Sequence, residues 1–215
     1  MRKKTLEPQQ ARSRESLRKL LKAATEVMGQ HGVEGATIPR IARHAGLTPG
    51  SVYRRFHDKE ALMEAAILGM LQRQDERLKT GMTPFVTASI PLPIFAEQVM
   101  TGMVVTYRAN AAMLRAMKQF AMNRTSTPFW KKASKLEVSH FERVVEMFVS
   151  HRDEIRHPDP RTAVSLGLMM VISTLYELVV LPPDLKAWKG LLPQNDQELK
   201  KELTRAFLGY LGVAD

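Results

Sequence analysis

Apolar residues recur at three- and four-residue intervals along almost the whole chain, and no stretch of any length alternates with the period of two that a strand requires, so the pattern predicts an all-α protein. Leu17, Leu20, Leu21, Ala24, Val27 and Met28 predict a first helix from about Arg14 to Gln30, closed by His31-Gly32. Thr37 and Pro39 then make a start signal, and Ile38, Ile41 and Ala42 share one face. Gly46, able to take the left-handed conformation, stops this second helix, with apolar Leu47 beyond it. Thr48-Pro49 restarts the chain at once, Val52 and Phe56 form the inward seam of a third helix, and Asp58 caps a fourth. That fourth helix carries Leu62, Ala65, Ala66, Ile67, Met70 and Leu71 before it turns polar from Gln72 to Lys79.

Proline and glycine make residues 80–93 irregular or only briefly helical. Beyond them the periodicity predicts helices over about 94–108 and 111–123, then one from the Thr127-Pro128 start through His151, one from Asp159-Pro160 to Leu181, and a last one over about 196–210. The segment Ala163 to Leu181 is apolar nearly all round, so it must be covered on more than one side. It also holds Ser165, Ser173, Thr174 and Glu177 and ends at Pro182-Pro183, which favours a buried helix over a membrane span. The chain thus divides into a basic, flexible tail (1–13), a helix-turn-helix unit (14–57), a connecting helix (58–79) and a larger helical domain (80–215).

Composition narrows the chemistry. With 44% hydrophobic residues the 215-residue chain can bury a substantial core, and with no cysteine it can form neither disulfides nor thiolate metal sites. The formal net charge is +10, and residues 1–60 hold 13 Lys and Arg against 6 Asp and Glu, so +7 of it sits at the helix-turn-helix end. A polyanion is the natural partner there, bound in a salt-dependent way. Basic Met1-Arg2-Lys3-Lys4 is followed by no apolar run, so no secretory leader is read, and a cytoplasmic protein is expected. The His151, Asp153, Glu154, His157 and Asp159 group lies at a helix end and in a loop, and Ser139-His140 lacks a placed acid. Neither a metal site, a cofactor nor an enzyme activity is expected.

Outside its seam the third helix presents Pro49, Gly50 and Ser51, then Tyr53, Arg54 and Arg55. Small residues allow its leading end close approach to base edges in a major groove, and the basic and aromatic ones that follow can grip the backbone. The candidate DNA-binding residues are Thr37, Thr48, Pro49, Gly50, Ser51, Tyr53, Arg54, Arg55 and Lys59. Thr48, Pro49 and Ser51 are placed nearest the bases, and Tyr53, Arg55 and Lys59 on phosphates. Taken singly, Thr37 and Thr48 also serve as caps and Tyr53 as packing.

The pattern Thr37, Ile41-Ala42, Ala45-Gly46-Leu47-Thr48, Gly50-Ser51-Val52-Tyr53, Phe56 and Lys59-Glu60-Ala61-Leu62 resembles the DNA-binding domain of TetR-family transcriptional regulators over roughly residues 14–64. The resemblance implies a homodimer on a near-palindromic double-stranded operator, repression, and release when a small molecule enters the C-terminal domain. It also implies that the last two helices pack against their copies as a four-helix interface. The chain departs from the family at Arg54-Arg55, more often aromatic or histidine there, and at Pro49, often lysine, which bears on the operator read.

The 13 methionines, many in the C-terminal helices, suit an adaptable apolar pocket, although methionines at helical spacing also make ordinary core. The candidate ligand residues are Met103, Tyr107, Met117, Phe120, Trp130, Phe141, Tyr176 and Glu177. Two functions from different classes follow: a ligand-responsive repressor, and a chromosome-organising or protein-interaction factor that uses the same fold without an inducer.

Overall fold

A computed structural model of the chain describes residues 7–81, 87–122, 124–181 and 187–213. Among the described residues eight α-helices run in the order α1 (Glu7–Gly35), α2 (Ile38–His44), α3 (Pro49–Tyr53), α4 (Lys59–Gly81), α5 (Leu92–Met122), α6 (Pro128–Val149), α7 (Pro160–Leu175) and α8 (Asp196–Leu211). A short 3₁₀ turn (Arg152–Glu154) follows α6, and a π-helical turn (Tyr176–Val180) continues α7. Among the described residues there is no strand, only an isolated bridge between Lys189 and Leu192.

Three expected boundaries are corrected. The first helix starts at Glu7, not near Arg14; at the expected stop, Gly32 leaves the helical region (φ 69°), and a last short helical turn runs beyond it to Gly35. Gln9 to Arg12 are compatible with helix, and Pro8 lies in the first turn, where its missing N–H costs nothing. The flexible tail is therefore helical from Glu7, and its remainder, residues 1–6, lies outside the described residues. The two helices expected over 94–108 and 111–123 are one 31-residue helix, α5. Residues 108–111 contain no glycine or proline, and the polar Asn110 side chain donates to the Thr106 carbonyl one turn back, so nothing there interrupts the ladder. The helix expected to run through His151 stops at Val149.

Buried side chains form two cores. The first joins Leu20, Ala24, Val27 and Met28 of α1 to Ile38, Ile41, Val52, Leu62, Met63 and Ile67, and it also takes in Ala116 and Phe120 of α5 and Phe129 and Ala133 of α6. The second gathers Leu92, Phe95, Met100 and Val104 of α5 with Val145, Phe148, Val164, Leu168, Leu199, Leu203 and Phe207. Helices α5 and α6 thus pass through both. Phe148 lies at the centre of the second core, with ring centroids 4.7 Å from Phe95 and 5.0 Å from Phe207 in tilted and edge-on geometry.

Two glycines permit close helix approach. A methyl at Gly29 would stand 3.2 Å from Met113 Cβ, so α1 rests directly on α5, and one at Gly167 would stand 2.9 Å from two Phe207 ring carbons. The apolar segment 160–180 is long enough to cross a membrane, and its inner side is committed to protein: Ala163, Val164, Gly167, Leu168, Val171 and Leu175 are buried. Among the described residues it is covered on one side only, because Leu166, Met169 and Met170 stay close to half exposed.

Candidate nucleic-acid interface

The turn between α2 and α3 is fixed by backbone chemistry. Gly46 takes φ 68°, the Leu47 N–H donates to the Ala42 carbonyl at 2.8 Å, and the Gly46 N–H donates to Arg43 at 3.1 Å. These two bonds satisfy the last carbonyls of α2 and swing the chain into α3. The Thr48 hydroxyl accepts from the Ser51 N–H at 3.3 Å, and the Ser51 hydroxyl donates back to the Thr48 carbonyl at 2.7 Å. Val52, fully buried, anchors α3 to Ile41 and Ala42 in the first core. Asp58 accepts from the Ala61 N–H at 2.7 Å and starts α4.

With those inward residues committed, Thr37, Thr48, Pro49, Gly50, Tyr53, Arg54 and Arg55 are all exposed and Ser51 is partly so. Space around Gly50 is open, leaving its surface clear for close approach. Tyr53 is 56% exposed, too far out to be a packing residue.

Three of the candidates stand otherwise than the sequence reveals. Thr37 has extended backbone at the start of α2 but makes no side-chain cap bond, so it does not cap through its hydroxyl. Arg55 donates to the Ser13 carbonyl at 3.1 Å and the Ser13 hydroxyl at 3.2 Å. Lys59 donates to the Val33 carbonyl at 3.3 Å and lies 3.9 Å from Glu34, which turns it toward the end of α1. Few backbone N–H groups are free at the start of α3: Pro49 carries none, and that of Ser51 is taken by Thr48. Arg43, exposed in the last turn of α2, and Arg12 and Lys19, which line a cleft facing Ala45, Gly46 and Leu47, extend the basic rim beyond the candidates. The signal for Arg12 was the helical composition of residues 9–12.

The ligand candidates are divided between the two cores. Phe120 is buried in the first with Met117 packed on it, whereas Met103, Tyr107 and Phe141 pack on the second. Trp130 is half-buried, and its backbone N–H donates to the Thr127 hydroxyl at 3.2 Å as part of the α6 cap. Tyr107 and Tyr176 meet edge to face at 5.7 Å, and the Lys118 ammonium lies 4.8 Å from the Tyr176 ring centroid. Burial pushes the Tyr107 phenol up to about 12, with Tyr176 and Glu137 adding to the shift, and it raises the Tyr176 phenol as well. The carboxylate felt by both tyrosines is Glu137, which the sequence did not single out; Glu177 is exposed rather than enclosed in its helix. A cleft between α5 and α8, lined by Glu97, Lys200, Lys201 and Leu208 among others, includes none of the eight candidates.

A tight, glycine-closed turn between two short helices, with a small-then-basic outer face on the second, defines a helix-turn-helix DNA-binding protein. Residues 20–66 match the family model described as bacterial regulatory proteins of the tetR family. The chain is 25% identical to the HTH-type transcriptional regulator BetI of Cronobacter sakazakii over 74% of its own length and 76% of that protein's. It is 39% identical to the HTH-type regulator TtgW of Pseudomonas putida over 34% of this chain and 52% of that one. In fold it is similar to a Mesorhizobium loti protein assigned to the TetR-family regulators (TM-score 0.72, 18% identity, 94% and 98% of the two chains). It is also similar to the regulator FadR of Bacillus subtilis in complex with stearoyl-CoA (TM-score 0.56, 16% identity, 92% and 98%). Residues 20–66 thus carry a helix-turn-helix domain of the tetR-family type, and the chain as a whole shares the fold of the TetR-family structures it resembles. Both sequence relatives are described as HTH-type transcriptional regulators.

Proposed function

We propose that the protein is a cytoplasmic, homodimeric repressor that reads a palindromic operator and is released by a small, largely apolar effector. The observation that carries the reading is the outer face of the helix-turn-helix. Thr48, Pro49, Gly50, Tyr53 and Arg54 are all exposed on a turn that Val52 and the Gly46 closure hold rigid. Thr48, Pro49 and Ser51 face the bases, Tyr53 and Arg54 hold phosphates, and the positive charge of residues 1–60 draws the operator in.

The dimer forms through α7 and α8. Support comes from the strip Leu166, Met169 and Met170, 45–48% exposed on a helix of otherwise buried apolar residues, which is costly to leave in water. The effector enters near Tyr107 and Tyr176, with Glu137 as a polar handle, and FadR of the same fold, crystallised with stearoyl-CoA, supports an apolar ligand. The tight aromatic packing of the second core and the exposed α7 strip are also what the rival, inducer-free factor requires. One experiment separates the readings. Purified protein is mixed with random short duplexes at moderate salt and the retained pool is sequenced. An enriched palindrome with half-sites about 10 base pairs apart, centre to centre, is the result expected of a two-fold dimer. Strong but unselective retention that vanishes with salt overturns the repressor and leaves the chromosome-binding factor.

A further inference from the structure

Asp75 is the one buried carboxylate among the described residues, 5% exposed in the middle of α4. Its two oxygens are held by different elements. Arg143 of α6 donates through Nε to Oδ1 at 2.9 Å, and Lys79, one turn along α4, reaches Oδ2 at 2.6 Å. Ser139 and half-buried His140 stand beside the pair on α6, and Arg143 also reaches the Ser139 hydroxyl at 3.4 Å.

Removing two opposite charges from water returns little net stability, and a well-packed apolar pair of the same volume generally serves as well. What such a pair supplies is direction: a planar guanidinium on a carboxylate permits one axial position and one rotation of the two helices, where leucine against leucine permits several. The position fixed here matters because of where α4 leads. Its first residue, Lys59, follows the recognition helix α3 after a five-residue link whose Phe56 packs on the same core as Val52 and Leu62. Asp75 lies 16 residues further on, about 24 Å along the axis at 1.5 Å per residue. A small change in tilt at Asp75 is therefore carried to the recognition helix as a displacement across the DNA.

We propose that the Asp75–Arg143 pair is a specificity-determining positioning contact, which sets the tilt of α4 and so the spacing between operator half-sites that the protein accepts. The proposal rests on the dimeric, palindrome-reading function argued above. The test is duplex selection with the full chain in three forms: wild type, Asp75→Asn, and the apolar replacement Asp75→Leu with Arg143→Met, which keeps the interface filled should the single variant fail to fold. Wild type is expected to favour one spacing by about tenfold over sites one base pair longer or shorter, the size of a typical one-position discrimination. The variants are expected to recover the same half-site sequence with that preference reduced to about threefold or less. Variants that keep both the half-site and the wild-type spacing preference overturn the positioning role and leave the dimer reading intact. A wild type that enriches isolated half-sites without any fixed spacing overturns both.

Discussion

Arg55 and Ser13, 42 residues apart, are joined by two hydrogen bonds from one guanidinium, so the end of the recognition segment is tied to the early turns of α1. The adjacent Arg54 has no such partner and faces outward. The two arginines therefore differ in what they do for DNA. Arg54→Ala is expected to reduce the slope of log K against log salt by about 0.9, the loss of one phosphate contact, whereas Arg55→Ala leaves the slope unchanged. Binding titrations on one duplex at four salt concentrations decide it, and equal slope changes for both would place Arg55 on a phosphate.

Thr48 and Thr37 occupy equivalent positions before their helices, but only Thr48 accepts a cap bond. Thr48→Ala is expected to cost about 1 kcal/mol of unfolding free energy, and Thr37→Ala to stay within about 0.5 kcal/mol, measured by denaturant unfolding.

How far the sequence could be read follows the same division. The Gly46 stop, the Thr48-Pro49 restart and the caps at Asp58, Thr127 and Asp159 were all legible, because each acts on backbone groups within four residues of itself. The partners of Arg55 and Lys59 were not, since Ser13 and Val33 reach them only after α1 has folded back over the helix-turn-helix. Nor could spacing tell that Phe120 and Tyr107, on one helix, serve different cores: both lie on apolar positions, and which core covers each depends on α1 and α7. Residues 108–111 misled for a different reason, since a polar patch on an exposed helix face looks locally like a break.

Gly167 offers a test of the packing that supports the α7 face. Alanine there puts its methyl 2.9 Å from two Phe207 ring atoms in a core with no room to yield. Gly167→Ala is expected to destabilise by about 1–3 kcal/mol, seen as a lower thermal midpoint. An unchanged midpoint would mean that α7 and α8 separate easily.

Tyr107 makes stability depend on pH at the alkaline end. Its phenol titrates near 10 when unfolded and at about 12 when folded, so folding favours the neutral form. The contribution is complete below pH 10 and is lost as pH rises through 12, by up to about 2 kcal/mol. Tyr107→Phe is expected to flatten that part of the stability curve, and a curve of unchanged steepness would show that the phenol is solvated in the native state.

The strip on α7 predicts the state of assembly. If the proposed α7–α8 dimer forms, Met170→Glu is expected to convert it into a monomer in sedimentation equilibrium and to weaken operator binding with it, because a charge on the exposed apolar strip would have to be buried. A variant still dimeric would move the interface elsewhere.

The contact at Gly29 bears on how motion spreads through the molecule. With no side chain on one side of it, α1 and α5 meet almost backbone to backbone, and nothing soft lies between them to absorb a shift. α5 reaches from the aromatic cluster of the second core to Phe120 in the first, so a displacement at one end arrives at the other with little play. The two halves are then expected to fluctuate together. Amide exchange in α1 would rise and fall in step with that of α5, and a larger residue at position 29 would act as a spacer that lets each half fluctuate on its own.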